Sequence, residues 1–364
     1  MEANPQALAD AITRARAIVQ TEAAAKVPGL SVAVAVNGAT IWSQNFGYAD
    51  LALKTPVTSS TRFRVGSVAK PFTAAGLVLL VERGAIDLDA PLQTYLPDFP
   101  EKSGVITIRL LAGHLSGIRN YRGREPFNQE SYPRLRPALK TFEADPLETP
   151  PGTKFSYSSY NWSVIGAVLE SVTGRDFPGY MQENVFQPLG MAGTRPDWAG
   201  VEDPQRAQFY ETDATGKFLP APSANYSFIW PAGGFLSTTE DMIRFGSAHS
   251  QPGFLKVELL RMLFTRQKTA DGRATAYGIG WRVNPPAVFH GGDSFGGTAI
   301  LMLLPAFRLV VAMASNGGQV RLRNAIRQQR APAEAAALAF QKEAVAARVA
   351  REFATVYRAP KKPE

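Results

Sequence analysis

The sequence predicts an α+β protein, an antiparallel sheet flanked by helices and joined to a mostly helical lobe. Three observations predict it. Alternating, β-branched runs sit near both ends of the chain, at 30–36 and 40–46 and again between 277 and 314. Helical periodicities fill the interval between them. Asn37-Gly38 joins the first two runs, and this dipeptide is the strongest short hairpin signal because both residues accept φ > 0. Strands that open and close a chain around a helical insertion must pair with each other across it.

Taken in order, residues 5–25 carry Leu8, Ile12, Ala15, Ile18 and Val19 at helical spacing until Pro28-Gly29 breaks the pattern. Helices are predicted near 67–83, 108–115, 163–173 and 177–185. Strands are predicted at 277–283, 288–290, 299–304 and 309–314, with Pro305-Ala306-Phe307-Arg308 as the last turn. The division that follows is a discontinuous sheet domain (1–62 and 225–330), a helical domain (63–224) and a basic helical C-terminal extension (331–364). No internal repeat is visible.

The chain has 364 residues, 45% hydrophobic and 19% charged, the composition of an ordinary globular protein with room for a large core. No apolar stretch reaches the ~18 residues of a membrane span. Met1-Glu2-Ala3-Asn4-Pro5 lacks the basic and apolar regions of a signal peptide, so the expectation is a cytoplasmic protein or a mature exported form. There is no cysteine, which removes disulfides, thiol nucleophiles and thiolate metal sites. The three histidines (His114, His249, His290) are far apart and predict no metal site. Of the net charge of +8, most sits from Arg321 to Glu364, where ten Lys/Arg face four Asp/Glu. The tail reads as a solvated helix face, with docking to an anionic surface as the alternative. With only Phe340, Phe353 and Tyr357 interleaved, it predicts no nucleic-acid binding.

Ser67-Val68-Ala69-Lys70 stands at the head of the apolar run 71–81. On a helix, positions i and i+3 share a face, so a lysine amine can sit beside a serine hydroxyl. Serine needs such a neighbouring base to become a nucleophile. The helix start adds unpaired N–H groups and a positive dipole end, which favour a developing oxyanion. Two further segments carry chemistry. Pro151-Gly152-Thr153-Lys154-Phe155-Ser156-Tyr157-Ser158-Ser159 is a turn entering a polar, aromatic stretch. Phe289-His290-Gly291-Gly292-Asp293 ends a strand, its glycines allowing close backbone approach.

In these three ordered segments the chain resembles the serine β-lactamase and penicillin-binding-protein superfamily, in its class C-like branch. Gly113-His114-Leu115-Ser116-Gly117 and Ala232-Gly233-Gly234-Phe235-Leu236-Ser237-Thr238 agree in order and look most like the mitochondrial serine β-lactamase-like members, with family VIII-type esterases nearby. The resemblance spans about residues 28–320 and implies a β-lactamase/transpeptidase-like fold with the active site between sheet and helical lobe. It implies Ser67 as the acylated nucleophile, Lys70 taking or relaying its proton, and Tyr157 as general base or acid. The backbone N–H groups of Ser67 and Asp293 would form the oxyanion hole, with Gly291 and Gly292 beside the substrate. His290 stands where β-lactamases have lysine, and would donate to substrate or assist Tyr157. Ser159 stands where asparagine is usual. Both departures point away from β-lactam turnover and toward a small ester or peptide substrate, with no metal or organic cofactor. The alternative is a catalytically silent sensor or self-associating scaffold on the same fold. The oligomeric state is not legible.

Tyr160-Asn161 offers a second register for the tyrosine motif, which the preceding Pro-Gly-Thr disfavours. Gly292-Asp293-Ser294-Phe295-Gly296 spells the nucleophile elbow of α/β-hydrolases, but no histidine follows Ser294 and a strand, not a helix, does, so Ser294 is rejected. His114 reads as structural and His249 as a surface residue. Trp230 and Tyr226 are candidates for the cleft wall or the core.

Overall fold

In the computed structural model, which describes residues 4–213, 215–319 and 332–357, Asn37 and Gly38 both take positive φ (53° and 83°). The hairpin they close joins β1 (Gly29–Val36) to β2 (Ala39–Asp50). The short β3 (Thr55–Pro56) borders β2. The C-terminal strands are β4 (Arg282–Asn284), β5 (Ala287–Ser294), β6 (Gly297–Leu304) and β7 (Leu309–Ser315). Among the described residues they form one antiparallel sheet of seven strands, ordered β3-β2-β1-β7-β6-β5-β4. The N-terminal and C-terminal strand groups meet at β1 and β7, where Val34 faces Val311.

Strand side chains alternate between faces, so a sheet covered on both sides needs apolar residues at every position. β1 is buried throughout. Its Ala33 and Ala35, with Val310 and Ala312 of β7, face the large core beneath the helical layer. Its Val32 and Val34, with Val311 and Met313, face a second core on the other side. That second core is closed by α1 (Pro5–Glu22), whose first N–H groups are capped by Asn4, and by the C-terminal helix described last.

The helical layer is organised by α2 (Ala69–Glu82). Every residue from Ala69 to Leu80 is buried, the mark of a helix surrounded on all sides. Pro71 is tolerated because it falls in the first turn, where its missing N–H has no partner to lose. Next to it lies α3 (Tyr160–Thr173), ended by Gly174 in the left-handed conformation. Against the sheet packs α4 (Thr239–Ala248), capped by the Thr238 side chain. A Cβ on its Gly246 would come 2.5 Å from Val310 Cγ1, so glycine lets helix and strand touch.

Several expectations change. The run 277–283 is strand only from Arg282, because Gly280 (φ 77°) turns the chain and Gly278 N–H donates to the Trp281 carbonyl. The helix at 108–115 stops at Ala112, where Gly113 and left-handed His114 end it. The helix expected from 163 begins at Tyr160. His249 is buried, not on the surface: its Nδ1–H donates to the Phe245 carbonyl one turn back at 2.8 Å and its ring lies 4.0 Å from that phenyl ring. Trp230 and Tyr226 are core residues.

The segment 331–364, set apart by its charge, contains α5 (Pro332–Ala354). Val345, Ala346, Val349, Ala350 and Phe353 recur at helical spacing and are buried in the second core beside α1. The described helix is therefore part of the sheet layer. The basic residues at 321–330 and 358–364 lie outside the described residues. Among the described residues no helix is long and apolar enough to cross a membrane.

Candidate active site

Ser67 sits in a 3₁₀ turn (Gly66–Val68) that leads into α2 and is bordered by the buried strands Phe63–Arg64 and Phe235–Ser237. The turn requires Gly66 at φ 49°. One turn on, Lys70 is fully buried, its Nζ 2.9 Å from Ser67 Oγ, 2.8 Å from the Ala232 carbonyl and 3.3 Å from Ser159 Oγ. No carboxylate is among these partners. Burial first, and the Arg282 charge second, hold the Lys70 pKa well below the ordinary ammonium value. The Lys70 N–H groups donate to the Ala232 carbonyl, to Ser159 Oγ and to Ser67 Oγ.

Tyr157 O–H donates to Ser67 Oγ at 3.0 Å. Burial pushes its pKa up to about 12, opposed by the Ser67 bond and by Arg282, so the group is a phenol near neutral pH. The other register is excluded by geometry. Tyr160 donates to Glu125 at 2.7 Å, and Asn161 Oδ1 accepts from Ser116 at 2.8 Å.

The third segment ends β5. A Cβ on Gly292 would lie 1.9 Å from the Val65 carbonyl oxygen and 2.8 Å from the Ser67 amide nitrogen. A Cβ on Gly66 would lie 2.6 Å from the Asp293 amide nitrogen. The glycines thus bring the 292–293 backbone onto the 66–67 turn, with the Ser67 and Asp293 amides close together. Gly291 instead has room, its nearest neighbour being Glu343 of α5. The Asp293 carboxylate accepts from Thr298 at 2.7 Å and pairs with Lys342 of α5, which ties that helix to the edge of the site.

His290 is not brought to Tyr157, their rings being 6.3 Å apart. Its Nδ1–H donates to the Gly291 carbonyl (2.7 Å) and its Nε2 accepts from Tyr277 O–H (2.9 Å). Burial, then the Lys70 and Arg282 charges, hold its pKa well below the usual range, so it is neutral. Ser294 lies at the β5–β6 turn, its hydroxyl directed to Gly297 at 3.4 Å.

Sequence reasoning missed Arg282 and Tyr277. Arg282 stands on the edge strand opposite Phe289, with its guanidinium 5.8 Å from the Tyr157 ring. It forms no ion pair among the described residues, and its charge acts on Lys70, Tyr157 and His290 alike. A lone arginine on an edge strand carries no motif. The Ala232 carbonyl was signalled only as part of an Ala-Gly-Gly turn.

A serine, a buried lysine whose charged form is disfavoured and a phenol meeting at one oxygen form an arrangement able to make a nucleophile without histidine. The family model for Beta-lactamase matches residues 14–335. The chain belongs to the beta-lactamase family. Its fold is that of the β-lactamase/transpeptidase group and it is a member of the corresponding serine hydrolase superfamily. This beta-lactamase family member is 27% identical over 383 residues to the mitochondrial serine beta-lactamase-like protein LACTB of Mus musculus, covering 76% of this chain and 69% of that protein. The octameric penicillin-binding protein homologue from Pyrococcus abyssi superposes with a TM-score of 0.73 at 23% identity, over 84% of this chain and 73% of that one. The D-amino acid amidase from Ochrobactrum anthropi SV3 gives 0.70 at 23% identity, over 86% and 92%. At such identities the likeness of the two solved structures is one of fold.

Proposed function

We propose that the chain hydrolyses esters or amides through an acyl-enzyme on Ser67. The observation that carries this reading is the convergence of Lys70 Nζ and Tyr157 O–H on Ser67 Oγ, with the lysine buried away from any carboxylate. Ser67 Oγ attacks the substrate carbonyl carbon while its proton passes to the neutral Lys70 amine. The negative charge that develops on the carbonyl oxygen is taken by the Ser67 and Asp293 amides. Tyr157, a phenol at rest, gives its proton to the leaving alkoxide or amine and recovers one from Lys70. Water then attacks the acyl-serine and gives a proton to Lys70, which passes it to the serine oxygen as the acyl–oxygen bond breaks. Both residues return to their starting states.

Substrate choice follows from what lies beside the nucleophile. His290 and Ser159, with their hydrogen bonds already made inside the protein, offer no lysine to a β-lactam carboxylate. Esters and amides are therefore the substrates, with β-lactam turnover weak or absent. The likeness to an amidase supports placing aminoacyl amides beside esters. The test is hydrolysis of p-nitrophenyl butyrate by the wild type and Ser67→Ala. Turnover that vanishes in the variant supports the mechanism; turnover retained by Ser67→Ala, or absent from the wild type, sinks it.

A further inference from the structure

One residue holds Tyr157 from three directions. The His114 carbonyl accepts from Ser156 N–H at 2.9 Å, and His114 Nδ1 accepts from Ser158 N–H at 3.1 Å. The imidazole ring lies 4.3 Å from the Tyr157 ring, tilted by 31°. Both neighbours of the tyrosine in the chain are thus bonded to the residue on which its ring rests. His114 reaches this position by taking φ 58°, a left-handed conformation that short polar side chains and histidine tolerate better than most. Its own ring is fixed in turn by the edge of Tyr277, 4.6 Å away.

The arrangement is not what packing alone selects. An acceptor Nδ1 places the ring proton on Nε2, and that buried N–H has no hydrogen-bond partner among the described residues. A leucine would fill the space without leaving a donor unmade. The feature that leucine lacks is the acceptor for Ser158.

We propose that His114 is the positioning residue for Tyr157, clamping residues 156–158 so that the phenol meets Ser67 Oγ. The inference rests on the acyl-serine reading above. It acts on the chemical step: a tyrosine displaced by about 1 Å loses on the order of 100-fold in rate while the substrate still binds. Asparagine at 114 keeps an acceptor near the place of Nδ1 and tolerates left-handed φ; leucine keeps bulk alone.

The experiment compares wild type, Ser67→Ala, His114→Asn and His114→Leu in p-nitrophenyl butyrate hydrolysis, separating kcat from KM, with thermal melts of each. His114→Leu is expected to lose about 100-fold in kcat with KM within about 2-fold, and His114→Asn to keep kcat within about 10-fold of wild type. A folded His114→Leu with wild-type kcat, equal losses in both variants, or an effect confined to KM overturns the clamp. Should His114→Leu not fold, His114→Gln, whose acceptor lies one carbon further out, takes its place with the same expectations. An inactive wild type, or an active Ser67→Ala, removes the acyl-serine reading and this inference with it. Loss of activity only in Ser67→Ala removes the clamp alone.

Discussion

Gly292→Ala and Gly291→Ala, two changes of one methyl on adjacent residues, should have opposite outcomes. A Cβ at 292 would sit 1.9 Å from the Val65 carbonyl oxygen, where real Cβ contacts stay above 3.0 Å, so strand or turn must yield by about 1.1 Å. Neither side is a flexible side-chain end. The atoms met are the backbone of Val65 and, at 2.8 Å, the amide of Ser67 itself. A displacement of about 1 Å at a reacting centre costs on the order of 100-fold, or about 2.7 kcal/mol of barrier. At 291 the nearest atoms are 3.8 and 3.9 Å away, ordinary van der Waals contact, and the rate should stay within about 3-fold of wild type. The assay is p-nitrophenyl butyrate turnover together with the rate of Ser67 labelling by a fluorophosphonate, which reports the nucleophile independently of the leaving group. Thermal melts show whether each variant is folded. A folded Gly292→Ala that labels and turns over at the wild-type rate would refute the close approach of strand and turn. An equal loss in Gly291→Ala would refute its assignment to residue 292.

Arg282→Met removes a cation that disfavours protonation of Lys70, so the Lys70 pKa should rise and the acidic limb of the pH–rate profile should move to higher pH; a limb that stays put denies the coupling. His249 has its pKa held near 4 by burial, below the ordinary value of about 6.5. The unfolded chain takes up the proton first, so its contribution to stability is complete above about pH 6.5 and falls by about 3 kcal/mol on acidification to pH 4. Urea unfolding of wild type and His249→Leu across that range should give a shallower pH dependence in the variant. Tyr277→Phe leaves His290 Nε2 buried without its donor and should cost about 1–3 kcal/mol by the same denaturation, with no effect expected if the 2.9 Å bond is absent.

What the sequence made legible was local. Ser67 and Lys70 are one helical turn apart, so their meeting follows from the period of the helix, and Asn37-Gly38 dictates its own turn. Tyr157 was marked by the Pro-Gly-Thr ahead of it. Arg282 and Tyr277 reach the site only through the pairing of the edge strand with β5, a long-range fact that no spacing encodes. His114 read as structural because its partners at 156 and 158 lie more than forty residues away. His249 was misplaced because a polar residue at a helix end usually faces water, whereas here the carbonyl one turn back accepts from its Nδ1–H. The charge of the C-terminal segment hid its apolar stripe, which becomes visible only at the helical period.

The pairing of β1 with β7 also sets the order in which this chain can be completed as it is made. Gly29–Val36 must wait for Leu309–Ser315, some 280 residues later. At about 5–20 residues per second that is roughly 15–60 s of translation. Through that time a strand apolar on both faces is paired only with β2, and the helical layer emerges before the sheet that covers it can close. An unpaired apolar edge is a template for association with other chains. The newborn protein is therefore most in need of chaperone shielding at its first hairpin, far in sequence from the segments that release it.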